Sequence, residues 1–264
     1  QSKLNEWLQF RESFLLEIIR GYGTGDSFSS DKCASCGLEE GRFRCLDCFP
    51  HCTMRCLQCF VDAHKENPLH RVEEWNGLFF KRLHLKDLGL RVQLGHGSRS
   101  CPCSLAGAAD FVVFHVNGVH RVAVDFCDCG ALNHPSPHHR VQILRMGWFP
   151  ASFDRPKTAF TFDLLHLFHK VTLQGKTTLY DFYHAILQVS DTLKLDETAN
   201  RYSEFHRSFR IWRHLCSLKH SGRGHDPGGA ARTAEGELVV ECPACPLPGK
   251  NLPDDWESAR PEDW

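Results

Sequence analysis

Cys33 and Cys36, Cys45 and Cys48, and Cys56 and Cys59 form three C-x2-C steps, and His64 and His70 follow them. Thiols and imidazoles at this spacing are metal ligands. A C-x2-C step makes a tight turn that brings two thiolates to about 2.3 Å from one tetrahedral ion. Eight ligands are enough for two closed zinc sites. The alternative use for so many cysteines is a disulfide framework, but disulfides belong to oxidising compartments. Nothing in the sequence resembles a signal peptide, and no apolar run approaches the length of a membrane span. The 14 cysteines and 17 histidines of this 264-residue chain therefore point to metal in a reducing compartment.

The intervals between the steps and the histidines (eight residues, seven, four, then five) are too short for each pair to build its own core. They suit an interleaved, cross-braced arrangement like that of B-box and RING-type modules. Cys33, Cys36, Cys56 and Cys59 are then expected to hold one ion, and Cys45, Cys48, His64 and His70 the other. Sequential pairing is the alternative. His51 and Cys52 fall off the spacing, as substitute ligands or spare loop residues.

A further constellation lies between residues 92 and 129. The segments from Phe111 to Val116 and from Val119 to Phe126 flank Asn117-Gly118, the strongest short hairpin signal, read as a two-residue type I′ turn. If Val116 pairs with Val119, Cys127 falls opposite Ala108. Cys101, Cys103, Cys127 and Cys129 then gather at the open end of the hairpin. His96, which follows the strand-like segment from Arg91 to Leu94, can reach the same place. A third zinc is expected on His96, Cys101, Cys127 and Cys129, with Cys103 as the substitute ligand and buried free thiols as the alternative. A lone step, Cys242 and Cys245, is the candidate for a fourth ion, with His220 and His225 the nearest completing ligands. His134, His138 and His139 sit in a Pro-rich loop and read as solvated.

The elements that must position these groups follow from periodicity. Residues 4–20 carry Leu4, Trp7, Leu8, Phe14, Leu15, Ile18 and Ile19 near helical spacing, and Gly21 supplies a stop. This helix is expected to dock its apolar face on the module that follows. Trp75 is expected to cover a zinc site or a domain interface. Leu144 to Phe160, broken by Pro150 and Pro156, reads as an irregular connector. Three helices follow, from Asp163 to Leu173, from a Thr177 or Thr178 cap through Leu187, and from about Ala199 to Leu218. The last carries Arg207, Arg210, Arg213 and Lys219 away from its apolar stripe. These are the best candidates for phosphate contact, against the alternative of a solvated face. Gly222 to Gly236 reads as a flexible loop and Glu237 to Val240 as strand-like.

The fold class is α+β: a small cross-braced zinc module, then a β-hairpin-containing zinc-bound subdomain, then a helical region. The expected divisions are 1–30 for the N-terminal helix and linker, 31–74 for the double zinc module and 75–148 for the hairpin subdomain. The helices occupy 149–222, and 223–264 holds the flexible loop and the CPACP segment. The chain opens on Gln1 and stops at Trp264 in a charged run, and reads as a segment of something longer. A net charge of −1 removes any bulk electrostatic case for nucleic acid, so DNA contact requires a local patch. There is no P-loop, dinucleotide fingerprint, nucleophile elbow or H-E-x-x-H helix. Closed zinc sites are structural, since catalytic zinc keeps an open position for water. The segment is therefore expected to be non-catalytic, with neither a small-molecule substrate nor a membrane as partner.

The segments RCLDC, RCLQC, HKENPLHRVEEWNG, LGHGSRSCPC, NGVHRVAVDFCDCG, TAFTFDLLHLFHK and CPACPLPGKNLPDDW follow one another in a characteristic order. Together this set resembles the N-terminal part of fungal KDZ (Kyakuja-Dileera-Zisupton) transposases, with their CxC-type cysteine cluster. The resemblance implies a nuclear DNA-transposon protein in which the cluster is an accessory zinc domain, with transposon DNA and other transposase subunits or domains as partners. It also implies an acidic RNase-H-like catalytic core downstream of the segment.

Overall fold

The computed structural model describes residues 2–25, 31–50, 53–96, 101–130, 138–190, 200–240, 242, 244–258 and 260. The chain divides into two compact units, Gln1–Arg210 and Ile211–Trp264.

In the first unit the cysteine-rich stretch folds round a three-stranded antiparallel sheet of β1 (Phe43–Cys45), β2 (Val72–Trp75) and β3 (Phe80–Leu83), in that order. A seven-residue helix, α3 (Leu57–Ala63), sets Phe60 against Phe43 with ring centroids 5.8 Å apart. Val72, Leu85 and Leu90 complete the buried cluster with Phe43, Cys45 and Phe60. So few buried side chains leave little apolar burial to set against the entropy of ordering the stretch.

A six-stranded mixed sheet follows, with β4 (Arg91–Gln93), β7 (Gly118–Cys127), β6 (Phe111–His115), β9 (Thr158–Thr161) and β8 (Trp148–Pro150) in spatial order, and β5 (Ser104–Ala106) paired with β7. Side chains alternate across a strand. Phe111 and Val113 thus join Val122, Val124 and Phe126 on one face, where Ile143 of α4 (His139–Arg145) and Trp148 close the cluster. Phe114 faces the other way, its ring 5.2 Å from Phe160 and 5.7 Å from Tyr183. That second face is covered by α5 (Phe162–Gly175), α6 (Leu179–Ser190) and the start of α7 (Tyr202–His220). Phe205 of α7 lies 5.1 Å from Phe160 and 5.7 Å from Phe168. Thr161 caps α5 by accepting the Leu164 N–H at 3.2 Å, and Thr178 accepts the Asp181 N–H at 3.1 Å ahead of α6.

Several expectations are corrected. The N-terminal segment does form helices, α1 (Ser2–Glu6) and α2 (Arg11–Tyr22) joined by a 3-10 turn, but α2 and the turn bury none of their residues. Phe14, Leu16 and Ile18 are 53%, 64% and 60% exposed, so the apolar face of this helix is not docked on the module that follows. The hairpin turn is Val116-Asn117 rather than Asn117-Gly118, with His115 opposite Gly118 and Phe111 opposite Val122. Two local demands favour that register. The Asn117 side chain leaves the hairpin to hydrogen-bond elsewhere, and Gly118 lies where a Cβ would come within 2.6 Å of the Ser190 hydroxyl, which accepts the Val119 N–H. Cys127 faces Ser104 on β5, not Ala108, because the β5–β7 pairing is offset by a further two residues from the hairpin register.

The expected irregular connector contains β8 and β9. Pro150 is tolerated because β8 is an edge strand that pairs with β9 alone. His139 is not solvated: its ring stacks on Phe126 at 3.8 Å and 10°. Trp75 packs against Phe80 with ring centroids 4.9 Å apart and the planes tilted by 54°.

The second unit holds the end of α7 and a series of turns. No strand forms at Glu237 to Val240, and the glycine-rich loop is tied down by Arg223, which bonds Asp226 at 2.9 Å and also pairs with Glu237.

Candidate metal centres

Three Cys/His tetrads come together, each with its four ligand atoms within 4.8 Å of one another. They are Cys33, Cys36, Cys56 and Cys59; Cys45, Cys48, His64 and His70; and His96, Cys101, Cys127 and Cys129. Ligands 2.3 Å from a tetrahedral ion lie about 3.8 Å apart. Cys36 and Cys56 sulfurs are 3.9 Å apart and those of Cys101 and Cys129 3.2 Å, spacings far beyond a disulfide bond.

The first two tetrads interleave through α3. Cys56 precedes its first residue and Cys59 lies in its first turn, while His64 follows its last residue. One short helix thus holds ligands of one site at its N-terminal end and a ligand of the other at its C-terminal end. Cys45 ends β1, and the N–H groups of Asp47 and Cys48 both point at its sulfur from 3.3 Å, which fixes the knuckle. His64 is fully buried and donates Nδ1–H to the Phe60 carbonyl at 2.7 Å. That bond fixes the tautomer and leaves the Nε2 lone pair free, 3.5 Å from the Cys48 sulfur, as a ligating imidazole requires. His70 presents Nδ1 to Cys45 and Cys48 at 3.5 and 3.4 Å.

The third tetrad sits where β4 and β7 end side by side. His96 Nε2 lies 3.0 Å from the Cys127 sulfur. Gly95, at φ 90°, is required there, since a Cβ would come within 2.6 Å of the Cys127 Cβ. Gln142 fixes the ligand from behind: it accepts the Cys127 N–H at 2.8 Å and donates to the Cys127 carbonyl at 2.9 Å. Cys103 is exposed and outside the tetrad, although its carbonyl accepts the Asp128 N–H at 3.0 Å.

The electrostatics fit a cation. In the first tetrad burial raises the Cys33 thiol, but the N–H groups of Cys36, Cys56 and Ser35 outweigh it and bring it to about 6. The Cys56 thiol, then burial, then Cys33 and Cys36 push Cys59 up to about 12. Burial drives Cys45 to about 12, and the Cys101 thiol drives Cys129 to about 12. Each cluster resists gathering several thiolates unless a divalent ion compensates them.

A polar network joins the second tetrad to the hairpin. Asp47 accepts the Arg71 guanidinium at 2.7 Å and the Arg71 N–H at 2.6 Å. Asn117 donates to Asp47 at 3.1 Å and to the Leu69 carbonyl at 2.9 Å, and accepts His120 Nε2–H at 2.7 Å. Gln142 and Asp47 were not singled out in the sequence, since nothing in their spacing marks them, and Asn117 was read there only as a turn residue.

The remaining candidates stay apart. Cys242 and Cys245 are exposed, and among the described residues neither His220, His225 nor any other Cys, His, Asp or Glu joins them in a tetrad. His51, Cys52 and His134 lie outside the described residues. Arg207, Arg210, Arg213 and Lys219 are all exposed on α7, with Arg207 donating to the Ala151 carbonyl at 2.8 Å.

Searches of curated proteins and of solved structures returned no match. A family model does match, over residues 85–194: the CxC2-like cysteine cluster associated with KDZ transposases. The matched span holds the six-stranded sheet and the third tetrad, while the cross-braced pair precedes it. No catalytic domain is identified beside it. The chain thus carries, at residues 85–194, a CxC2 cysteine cluster domain of the kind associated with KDZ transposases.

Proposed function

We propose that this chain is a zinc-stabilised, non-catalytic accessory region of a nuclear transposase, which contacts transposon DNA through α7 and helps position the other parts of the enzyme. The observation that carries this reading is the cysteine cluster match together with tetrads whose four ligands are all protein side chains. Such sites leave no open position for water and act on geometry rather than on substrate. Zinc is favoured as the ion because sulfur-rich tetrahedral sets with imidazole are its preferred environment.

The DNA contact is supported by Arg207, Arg210, Arg213 and Lys219, of which Arg210 and Lys219 have no carboxylate partner among the described residues. The test is fluorescence anisotropy with duplex DNA across a salt series. Wild-type affinity is expected to fall linearly with log salt. The R207A/R210A/R213A variant should weaken binding to every sequence and flatten the slope by about 2.7, or about 0.9 per lost phosphate contact. Equal slopes would remove α7 from the DNA reading.

A second reading, a protein-interaction module without DNA contact, is favoured by two observations. The unburied apolar side chains of α2 offer a docking surface, and the net charge of −1 gives DNA no general attraction.

A further inference from the structure

A short loop, residues 151–157, joins β8 to β9 within the first unit. Its ends are fixed. The Ala151 N–H donates to the Thr158 carbonyl at 2.9 Å, and the Lys157 carbonyl accepts the Val112 N–H at 3.0 Å. Ala151 and Pro156 are buried, and the proline ring locks its own φ. Two arginines from other elements hold the backbone between. Arg207 of α7 donates to the Ala151 carbonyl at 2.8 Å, and Arg140 of α4 to the Phe153 carbonyl at 3.5 Å.

Arg155 and Lys157 are exposed on this loop, and Arg140 and Arg207 are exposed beside it. Among the described residues none of the four lies within ion-pair distance of a carboxylate. Asp128 and Asp154 line the same hollow as Arg140 and Arg155, and the four cations outnumber them. Phe153, in the middle of the loop, is 52% exposed. Surface cations alone serve solubility. An exposed ring among unpaired cations, on a backbone held from both sides, suits a ligand that offers phosphates and apolar surface together. Duplex DNA offers phosphates along its edges and base faces between them.

We propose that this loop is a second DNA contact, in which Arg140, Arg155 and Lys157 hold phosphates and Phe153 wedges into a base step of the duplex. Such wedges partly unstack the step and kink the helix. Arg207 links this contact to the one on α7, so the inference rests on the DNA reading and extends it.

The test uses the whole zinc-loaded chain and a short duplex carrying 2-aminopurine, a base analogue that brightens when it leaves the stack. R140A/R155A/K157A is expected to flatten the slope of log affinity against log salt by about 2.7, or about 0.9 per lost phosphate contact. R140K/R155K keeps the charges and should keep the slope. F153A removes no charge, so its slope should match wild type while its affinity falls about 5–150-fold. At saturating protein, wild type should brighten the probe and F153A should not. Loop variants that match wild type, while R207A/R210A/R213A weakens binding, would overturn this proposal and leave the α7 reading standing. A slope as flat in R140K/R155K as in the alanine variant would also overturn it, because the loss would then not be one of charge. Tighter binding to the single strand than to the duplex would overturn the wedge. A wild type that binds no duplex would sink both this contact and the DNA reading.

Discussion

His120 is 4% exposed, and its Nε2–H is committed to the Asn117 carbonyl oxygen. Burial, aided by the neighbouring positive charge of His115, Arg82 and His84, pushes its pKa from 6.5 down to about 3. A histidine with a depressed folded pKa leaves stability complete above its unfolded value of about 6.5. Stability is then lost as the pH falls toward about 3, at up to about 1.4 kcal/mol per pH unit, because only the unfolded chain takes the proton. Imidazole 15N NMR should therefore show His120 neutral at pH 5 in the zinc-loaded protein, and a charged ring at that pH would contradict its burial. Gln142 is the matching case at the third tetrad. Gln142→Leu leaves the Cys127 N–H and carbonyl without their partners, at about 1–3 kcal/mol for each buried group. The denaturant midpoint should drop, and the zinc affinity of that site alone should fall about 10–100-fold in a chelator competition. Neither residue was legible in the sequence. A buried amide or imidazole that serves backbone or another side chain has no spacing signature, whereas ligands must recur at the intervals a knuckle imposes.

At the scale of elements, α3 is the piece on which the cross-brace turns. Because it presents Cys56 and Cys59 to one tetrad and His64 to the other, disturbing either end should be felt by both. Cys59→Ser is expected to lose one zinc outright and to weaken the second tetrad about 10–100-fold, as ligand support is withdrawn. Retention of full affinity at the second tetrad would mean the two sites are uncoupled. The elements that spacing or periodicity marks, namely the hairpin strands and the three late helices, were visible in the sequence to within a few residues. The hairpin register was not, since it is decided by where Asn117 and Ser190 find partners 70 and 71 residues away. Strands β8 and β9 were hidden for another reason. They are three and four residues long, and two prolines mask them, yet an edge position makes Pro150 compatible with pairing.

At the scale of the molecule, the two halves of the first unit differ in how much apolar core they bury. The cross-braced part buries a small apolar cluster, while the sheet that follows is covered on both faces by aromatic and aliphatic side chains. The two halves of the first unit should therefore respond differently to a strong chelator. The cross-braced part is expected to lose its structure, and the sheet to keep most of its hydrogen-exchange protection on β6 and β7. Exchange that collapses uniformly across both would show that they melt as one.

The side chain of Asn117 bears on how such a protein can be inherited. It leaves its own hairpin turn to bond Asp47 and the Leu69 carbonyl, both in the preceding cross-braced stretch. Phe205, similarly, packs on Phe160 and Phe168 from beyond the end of the matched cysteine cluster. A recombination break at residue 85 or 194 would cut through both associations, stranding polar groups at one border and baring aromatic rings at the other. Breaks ahead of Asp31 or past Arg210 leave these contacts whole. The unit that selection can move from one gene to another is therefore larger than the cysteine cluster by which it is recognised.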